Sequence, residues 1–381
     1  MRFRLVALML ALPALAFSLL VLIGCRGVPD APSPELSDLP ILEEVGRIGC
    51  LDCEGPKMLT VIYLTMDADG TIYVLDRYEP FVRLFDHQGE ILRAFGEAGQ
   101  GPGELGVDLQ FEYLPGIAIY PWSEGSTLVH EALPQVLTAF DQAGVFSGEL
   151  ILDVSQRVPR NTAWDAARER LFMQSFIPGE GPRVDRFDFA GQTSAAATTI
   201  LTLAEAFPLL VDDPTRPPTG PFSMALTADG EIALGDPWVY DIHVFAPSGD
   251  FQRLIHRDTE RPRKNEVELS EERERLAELA ARAGIEVEEP APDKPHFGRG
   301  ALDFDDAGRL WVGTYRGTEG ETLFDLFSPA GDYLGEVNLP AELALSASSL
   351  RLYAVAGEHL AAVVADDSGN HGIGVWRVVW S

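Results

Sequence analysis

Apolar and polar positions alternate in short runs along most of the chain, and residues 67–90 show the pattern most clearly. In this stretch, DADGTIYVLDRYEPFVRLFDHQGE, an Asp-Gly turn precedes the β-branched and aromatic run 72–74, and a second such run begins at Phe81. Runs of this composition suit a half-buried strand, and glycine reaches the positive φ of a tight turn without steric cost. The stretch therefore predicts two strands bounded by turns, as in an antiparallel meander.

Both turns of this stretch recur along the chain at intervals of about 50 residues. The glycines of the second turn are Gly89, Gly144, Gly191, Gly249 and Gly331. The first turn recurs in step, in residues 123–131, 165–175, 227–236, 304–314 and 355–364. Repeats of this length with four short strands each are typical of β-propellers. The sequence therefore predicts an all-β fold, a six-bladed β-propeller of four-stranded antiparallel blades.

The predicted propeller covers residues 40–381, and its last blade is one strand short. The C-terminal segment supplies about three strands, whereas a propeller blade has four. Residues 40–49, PILEEVGRIG, have the pattern of a strand that has no neighbour nearby in the sequence. We expect residues 40–49 to complete the last blade and so to close the ring.

Residues 265–292 interrupt the β pattern between blades four and five. Their apolar positions follow helical spacing, with Ser270 as a plausible N-cap and Gly284 as a plausible stop. We therefore predict a helical insertion. Its role stays open between a solvated decoration and a cap over the central pocket or a helix that docks a partner.

The first 24 residues have the pattern of a secretory signal, with a short basic segment followed by an apolar run. The tetrapeptide LIGC that ends at Cys25 resembles the lipobox of bacterial lipoproteins, which implies that Cys25 is acylated. The alternative is an uncleaved membrane anchor. Residues 25–39, polar and proline-bearing, favour a tether after a cleaved signal. Because Arg26 rather than aspartate follows the cysteine, we expect a lipid-anchored protein of the bacterial cell envelope, at the outer membrane.

The other two cysteines, Cys50 and Cys53, lie in the segment GCLDC. An even pair in an oxidising compartment favours a local disulfide. Free thiols are the first alternative, and redox or metal chemistry is the second. The acidic neighbours of the pair disfavour the thiolate that redox chemistry needs.

The formal net charge is -30, from 29 lysines and arginines against 59 aspartates and glutamates. Such a charge repels phosphate backbones, so nucleic-acid binding is not expected. The same charge favours solubility, and we expect a monomer.

The segment GEAGQGPGEL at residues 96–105, together with the preceding repeat, resembles an NHL-type repeat of six-bladed β-propeller lipoproteins from environmental bacteria. The resemblance is strongest in blade one and implies the propeller fold without implying a reaction. The glycine-rich segment lacks the Lys-Ser/Thr of a phosphate-binding loop, so we interpret it as a connection between blades.

The repeat aligns polar residues at or just after the end of the second strand of several blades. These candidate ligand-binding residues on the axial face are Asp76, Arg77, Glu131, Asp236 and Arg316. Three acidic members from different blades would surround a cation or a basic ligand. The alternative is that the carboxylates cap turns.

Two functions are weighed against each other. The first is a membrane-tethered module that binds a protein, a peptide or a glycan, without catalysis and without a resident metal or cofactor. The second is an enzyme that resembles the calcium-dependent lactonase or lyase propellers, in which Glu, Asn and Asp from different blades hold Ca²⁺ at the axis. The few asparagines of this chain do not fall at the aligned positions, so the binding module is favoured.

Overall fold

Turns capped by aspartate set the strand boundaries of the blades. In blade one the Asp67 carboxylate accepts hydrogen bonds from the backbone N–H groups of Asp69 and Thr71, and Gly70 has a φ of 82°. Asp86 caps the second hairpin in the same way. A side-chain oxygen that replaces a backbone acceptor fixes the conformation of such a turn. The turns recognised in the sequence of blade one are therefore the hairpins of its sheet.

The computed structural model describes residues 39–49, 60–106, 117–131, 135–154, 157–177, 180–202, 223–283, 289–317, 320–341, 343, 351–365 and 371–380. Its strands are β1 Ile41–Ile48, β2 Val61–Met66, β3 Ile72–Asp76, β4 Val82–Phe85, β5 Ile91–Phe95, β6 Ala118–Pro121, β7 Thr127–Glu131, β8 Val136–Phe140, β9 Phe146–Asp153, β10 Val158–Asp165, β11 Arg170–Ile177, β12 Gly181–Asp188, β13 Ser194–Ala196, β14 Thr198–Thr202, β15 Ser223–Leu226, β16 Ile232–Asp236, β17 Asp241–Phe245, β18 Phe251–His256, β19 Phe297–Phe304, β20 Leu310–Thr314, β21 Thr322–Phe327, β22 Tyr333–Leu339, β23 Tyr353–Ala356, β24 His359–Ala365 and β25 His371–Val379.

These strands form six sheets, which confirms the predicted six-bladed β-propeller. Blade one contains β2–β5, blade two β6–β9, blade three β10–β12 with β14, blade four β15–β18, blade five β19–β22, and blade six β23–β25 with β1. The first strand of each blade is innermost, and the apolar cores lie between adjacent blades. One such core joins Trp311 and Phe324 of blade five to Tyr353 and Trp376 of blade six.

The meander gives the propeller two different faces. The hairpins from first to second strand and from third to fourth strand lie on one face, which we call the hairpin face. The links from second to third strand and from one blade to the next lie on the opposite face, the connection face. The segment 96–105 follows β5 and belongs to the connection face, where Leu105 donates its N–H to the carbonyl of Glu97 at 2.8 Å.

Two pairings join distant parts of the chain. Strand β1 runs antiparallel to β25, from the pair Ile41 and Val379 to the pair Ile48 and Ile373. The outer strand of blade six therefore comes from the N-terminal side of the ring. Strand β13, which no sequence pattern predicted, leaves blade three and adds a fifth strand to blade two, parallel to β9.

The helix α1, Glu266–Ala283, lies between blades four and five, which confirms the predicted insertion. The predicted N-cap is wrong: Ser270 lies inside the helix, and Asn265 precedes its first residue. Asn265 Oδ1 accepts the N–H of Glu268 at 2.9 Å, while Glu268 Oε2 accepts the N–H of Asn265 at 2.8 Å. This reciprocal capping box satisfies two backbone donors at once and fixes the earlier start.

The insertion is held to its own flanks. Lys264 forms an ion pair with Glu272 at 2.5 Å, Lys294 pairs with Glu268, and Arg273 pairs with Glu289 at 3.1 Å.

Across the described ranges, no helix combines the length and the apolar character that a membrane crossing requires.

Candidate functional site

The innermost strands of all six blades, with the residues just before β23, enclose a cavity of about 200 Å³ on the propeller axis. The cavity lies toward the hairpin face, because its rim includes residues that follow the inner strands, such as Ala68, Ala166 and Asp306. Its deeper wall comes from inner-strand residues of blades one, two, three and five, among them Tyr63, Tyr120, Asn161, Thr162, Trp164 and Asp303. None of its described lining comes from the helical insertion, so the insertion does not cap this cavity.

An ion pair between Asp303 and Arg351 crosses the wall of the cavity from blade five to blade six. Arg351 Nη2 lies 2.6 Å from Asp303 Oδ1, and 24 % of the Arg351 side chain is exposed against 7 % of Asp303. The backbone N–H of Val355 donates to Asp303 Oδ2 at 2.8 Å, and that of Phe304 donates to Oδ1 at 3.0 Å. Burial, which outweighs the charge of Arg351, raises the pKa of the Asp303 carboxyl. Both side chains line the cavity, and Arg351 is the more exposed of the two.

Aromatic side chains line the wall on the opposite side from blade five. The Tyr63 and Tyr120 rings meet edge to face at 6.2 Å between centroids, and Trp164 lies 6.4 Å from Tyr120. The Tyr120 hydroxyl donates a hydrogen bond to Thr162 Oγ1 at 2.5 Å, and Arg351 hydrogen-bonds to the Tyr63 hydroxyl. Burial raises the pKa of Tyr120 well above its ordinary value. Both phenols are therefore neutral over the physiological range, and both line the cavity.

The residues predicted as axial ligands lie at the connection face, away from this cavity. Asp76 is fully buried, and its Oδ1 accepts the N–H groups of Thr60 at 3.2 Å and Tyr78 at 3.3 Å. Its Oδ2 lies 3.5 Å from Arg83 Nη2. These are the contacts of a carboxylate that caps a strand end, which was the alternative interpretation.

Glu131 and Asp236 make contacts of the same kind. Glu131 Oε1 accepts the N–H of Gly106 at 2.7 Å, and Asp236 Oδ1 accepts the N–H of Trp238 at 2.9 Å. Each of the three acidic groups therefore accepts a hydrogen bond from the backbone of the connection face. The half-buried Arg77 donates its backbone N–H to Thr60 at 2.9 Å.

Arg316 belongs to a cluster of charges between blades four and five. Arg257 and Arg316 both pair with Asp325, whose side chain is fully buried, and both pair with Glu336, whose side chain is 39 % exposed. The Tyr240 hydroxyl donates to Asp325 as well. Burial first, and then the charge of Asp325, raises the pKa of Tyr240 well above its ordinary value. The cluster neutralises the charge of Arg316.

The donors of the axial cavity do not fit a resident divalent cation. Both oxygens of Asp303 already accept hydrogen bonds, and a guanidinium lies against one of them. Ca²⁺ takes six to eight oxygen ligands in proteins. In the part of the chain that the structure describes, no group of three His, Cys, Asp or Glu side chains could hold a metal ion.

Sequence reasoning missed the residues of the cavity because it followed the second strands. The available signal was a polar residue inside or beside a first strand, as with Asp303 next to Phe304 and Arg351 shortly before Tyr353. The predicted lipidation site Cys25 and the predicted disulfide Cys50–Cys53 lie outside the described residues. So do residues 1–38, which cover the predicted signal and nearly all of the tether.

Comparison with known proteins gives structural likeness only. No protein-family model and no curated protein matches the sequence. A member of the DUF4221 family from Bacteroides vulgatus is 11 % identical, with a TM-score of 0.52, and the match covers 90 % of this chain and 97 % of that one. A luciferin-regenerating enzyme matches with 13 % identity and a TM-score of 0.47, covering 89 % and 95 %. A calcium-binding protein, regucalcin, from Agrobacterium tumefaciens matches with 14 % identity, a TM-score of 0.44 and the same coverage. At 11 % identity the likeness to the DUF4221 protein shows the fold alone, and the activity has to be inferred from the residues of this chain.

Proposed function

We propose that this protein is a binding module of the bacterial cell envelope, tethered to the outer membrane through lipid on Cys25, that takes the terminal sugar of a glycan into the axial cavity. The observation that carries the proposal is the composition of the cavity wall: aromatic rings on one side and the Asp303–Arg351 pair on the other. Such a combination binds molecules that have both an apolar face and hydrogen-bonding groups.

The size of the cavity limits what enters it. Pockets for drug-sized molecules enclose about 300–1,000 Å³. At about 200 Å³, this cavity accepts a single small ring rather than a chain of them. A ligand that inserts one end group and leaves the remainder outside satisfies that limit.

The charges of the cavity disfavour an anionic ligand, because Asp306 at the rim adds a negative charge to the neutral Asp303–Arg351 pair. Asp303 and Arg351 neutralise each other, and the exposed part of Arg351 donates hydrogen bonds without presenting an unbalanced charge. A sugar ring has an apolar C–H face that fits against Tyr63, Tyr120 or Trp164, and hydroxyls that accept from a guanidinium. A protein or peptide ligand would have to insert a single uncharged side chain.

Closing the mouth of the cavity tests the binding proposal. Ala68 is exposed at the rim, so Ala68→Trp places an indole over the opening without disturbing the core. We expect the affinity for glycans, measured by array screening followed by calorimetry, to fall by more than about tenfold, since a blocked pocket loses most of its contacts. Ala143→Trp is the matched control, because Ala143 is an exposed turn residue of the hairpin face that does not line the cavity. Equal affinities of the two variants, or a wild-type chain that binds no glycan, would contradict the proposal.

Labelling with palmitate tests the tether. We expect the full-length chain, expressed in a two-membrane bacterium, to carry label and to sediment with outer-membrane vesicles on a density gradient. Cys25→Ser is expected to lose both the label and the sedimentation, whereas Cys50→Ser keeps them. The reason is that stable anchoring requires more than one acyl chain, all of which depend on the lipidated cysteine. Label that persists in Cys25→Ser would show that the cysteine is not the anchor.

A further inference from the structure

Three alternate blades carry an irregularity in the innermost strand at the same height along the axis. In β2 the register shifts between Val61 and Tyr63, and in β10 it shifts between Pro159 and Asn161. The extra residues are Ile62 and Arg160. In β19 the register shifts between Phe297, which pairs with Thr314, and Leu302, which pairs with Val312. Residues 298–301 of β19 therefore lie opposite one residue of β20, Gly313. All three lie beside the end of the second strand, next to Asp76, Ser175 and Thr314.

A β-bulge leaves its extra residue out of the ladder and re-aims the side chain. On an innermost strand the free side of the ladder faces the axis, so the shifts of register in blades three and five place Arg160 and Arg299 on strands that border the channel, at its connection-face end. Strand β15 packs between β10 and β19, which places the two arginines on either side of blade four. Neighbouring structure holds the longer bulge in place: the Tyr353 hydroxyl of blade six lies 2.5 Å from the carbonyl oxygen of Ala301 and accepts the N–H of Gly313 at 3.3 Å.

In the part of the chain that the structure describes, neither guanidinium has a counter-charge. Burial, and after it the positive charge of Arg160, lowers the pKa of Arg299 to about 10. Among the residues that the structure describes, neither arginine has an ion-pair partner or a hydrogen-bond acceptor, and Arg299 Nε is buried without one. Other inner arginines differ: Arg157 Nε lies 3.0 Å from Asp185 Oδ2, and Arg351 has Asp303.

An unpaired pair of like charges is unfavourable in a partly buried place. It is more unusual still in a chain with twice as many acidic as basic residues, 59 against 29, where carboxylates are abundant. Guanidiniums bind oxyanions through two parallel N–H donors, so two unpaired guanidiniums on strands that border one channel offer matching chemistry.

We propose that the connection-face end of the axial channel binds an oxyanion, a carboxylate or a phosphate group, between Arg160 and Arg299. This site lies at the other end of the channel from the rim of the cavity that is proposed to take a sugar. Its ligand has to carry a negative charge, whereas the sugar is neutral. It does not depend on the proposed glycan binding.

The test compares inorganic phosphate and acetate with chloride at constant ionic strength, using the full-length chain. We expect one of the two oxyanions to raise the Tm of the wild-type protein by about 2–3 °C at a saturating concentration, because a ligand of the folded state stabilises it. A rise with phosphate assigns a phosphorylated ligand, and a rise with acetate assigns a carboxylate ligand. If neither anion raises the Tm, the proposal is overturned.

Variants tie the effect to the two arginines. Arg160→Gln and Arg299→Gln are each expected to abolish the anion-dependent rise and to raise the Tm in chloride, because each removes a repulsion. Arg275→Gln on α1, whose side chain is 59 % exposed, makes the same change of charge elsewhere and is expected to keep the full rise. If Arg299→Gln fails to fold, Arg299→Lys keeps the charge without the planar fork and is expected to show a smaller rise. A full rise in the arginine variants would overturn the site.

Ala68→Trp, which closes the other end of the channel, is expected to keep the anion-dependent rise in Tm. Failure of the sugar site and failure of this site are therefore distinguishable.

Discussion

Replacement of Asp303 by alanine is expected to lower the free energy of unfolding by about 4 kcal/mol, since removal of one partner from a buried ion pair leaves an uncompensated charge. Arg351 loses its carboxylate at 2.6 Å, and the N–H groups of Val355 and Phe304 lose their acceptor. Urea-induced unfolding, followed by circular dichroism, measures the change.

Two further variants separate the lost charge from the lost side chain. Asp306→Ala removes an exposed carboxylate at the rim of the same cavity and is expected to cost less than about 1 kcal/mol. The double variant Asp303→Leu with Arg351→Met is expected to recover most of the loss, because apolar residues of similar volume replace many buried ion pairs without cost. A double variant as unstable as Asp303→Ala would mean that the charge of Arg351 is not the cause.

Replacement of Asp325 by asparagine is expected to lower the free energy of unfolding by about 3 kcal/mol, for a related reason. The side chain keeps its shape but loses the charge that Arg257 and Arg316 share at a fully buried position. The two arginines then repel each other across the boundary of blades four and five, with only Glu336 left between them. The same urea titration measures the loss.

Glu336→Gln is the matched control for Asp325→Asn. Glu336 pairs with the same two arginines, but its side chain is 39 % exposed, and exposed pairs contribute about 0–1 kcal/mol. If the two variants lose the same stability, burial is not what makes the Asp325 pair important.

The blades were predictable because their signals are local. Asp67 and Gly70 form a hairpin turn between two apolar runs, and such a turn can be recognised from a few adjacent residues. A chain with six such four-stranded units has few ways other than a propeller to bury the apolar faces of its sheets. The helix was predictable for the same reason, although its first residue was not. Ser270 and Asn265 both have the chemistry of an N-cap, and only the reciprocal bond to Glu268 decides between them.

The residues of the axis could not be predicted from a repeat alignment. Alignment assumes that equivalent positions have equivalent directions, and a bulge breaks that assumption. Arg160 and Arg299 lie at shifts of register in β10 and β19, and a shift of register is invisible in the sequence. Asp76 and Asp236 were visible in the alignment because each stands at the end of a second strand, beside a link whose N–H group it accepts.

The pairing of β1 with β25 imposes an order on biosynthesis. A nascent chain presents β1 long before β25, the strand that covers its edge. Until β25 has been made the ring has an open seam: β1 is an unpaired strand edge, and the flank of blade one lacks blade six. Unpaired edges are sites of misassembly between chains. The seam closes only when β25 has been synthesised and pairs with β1.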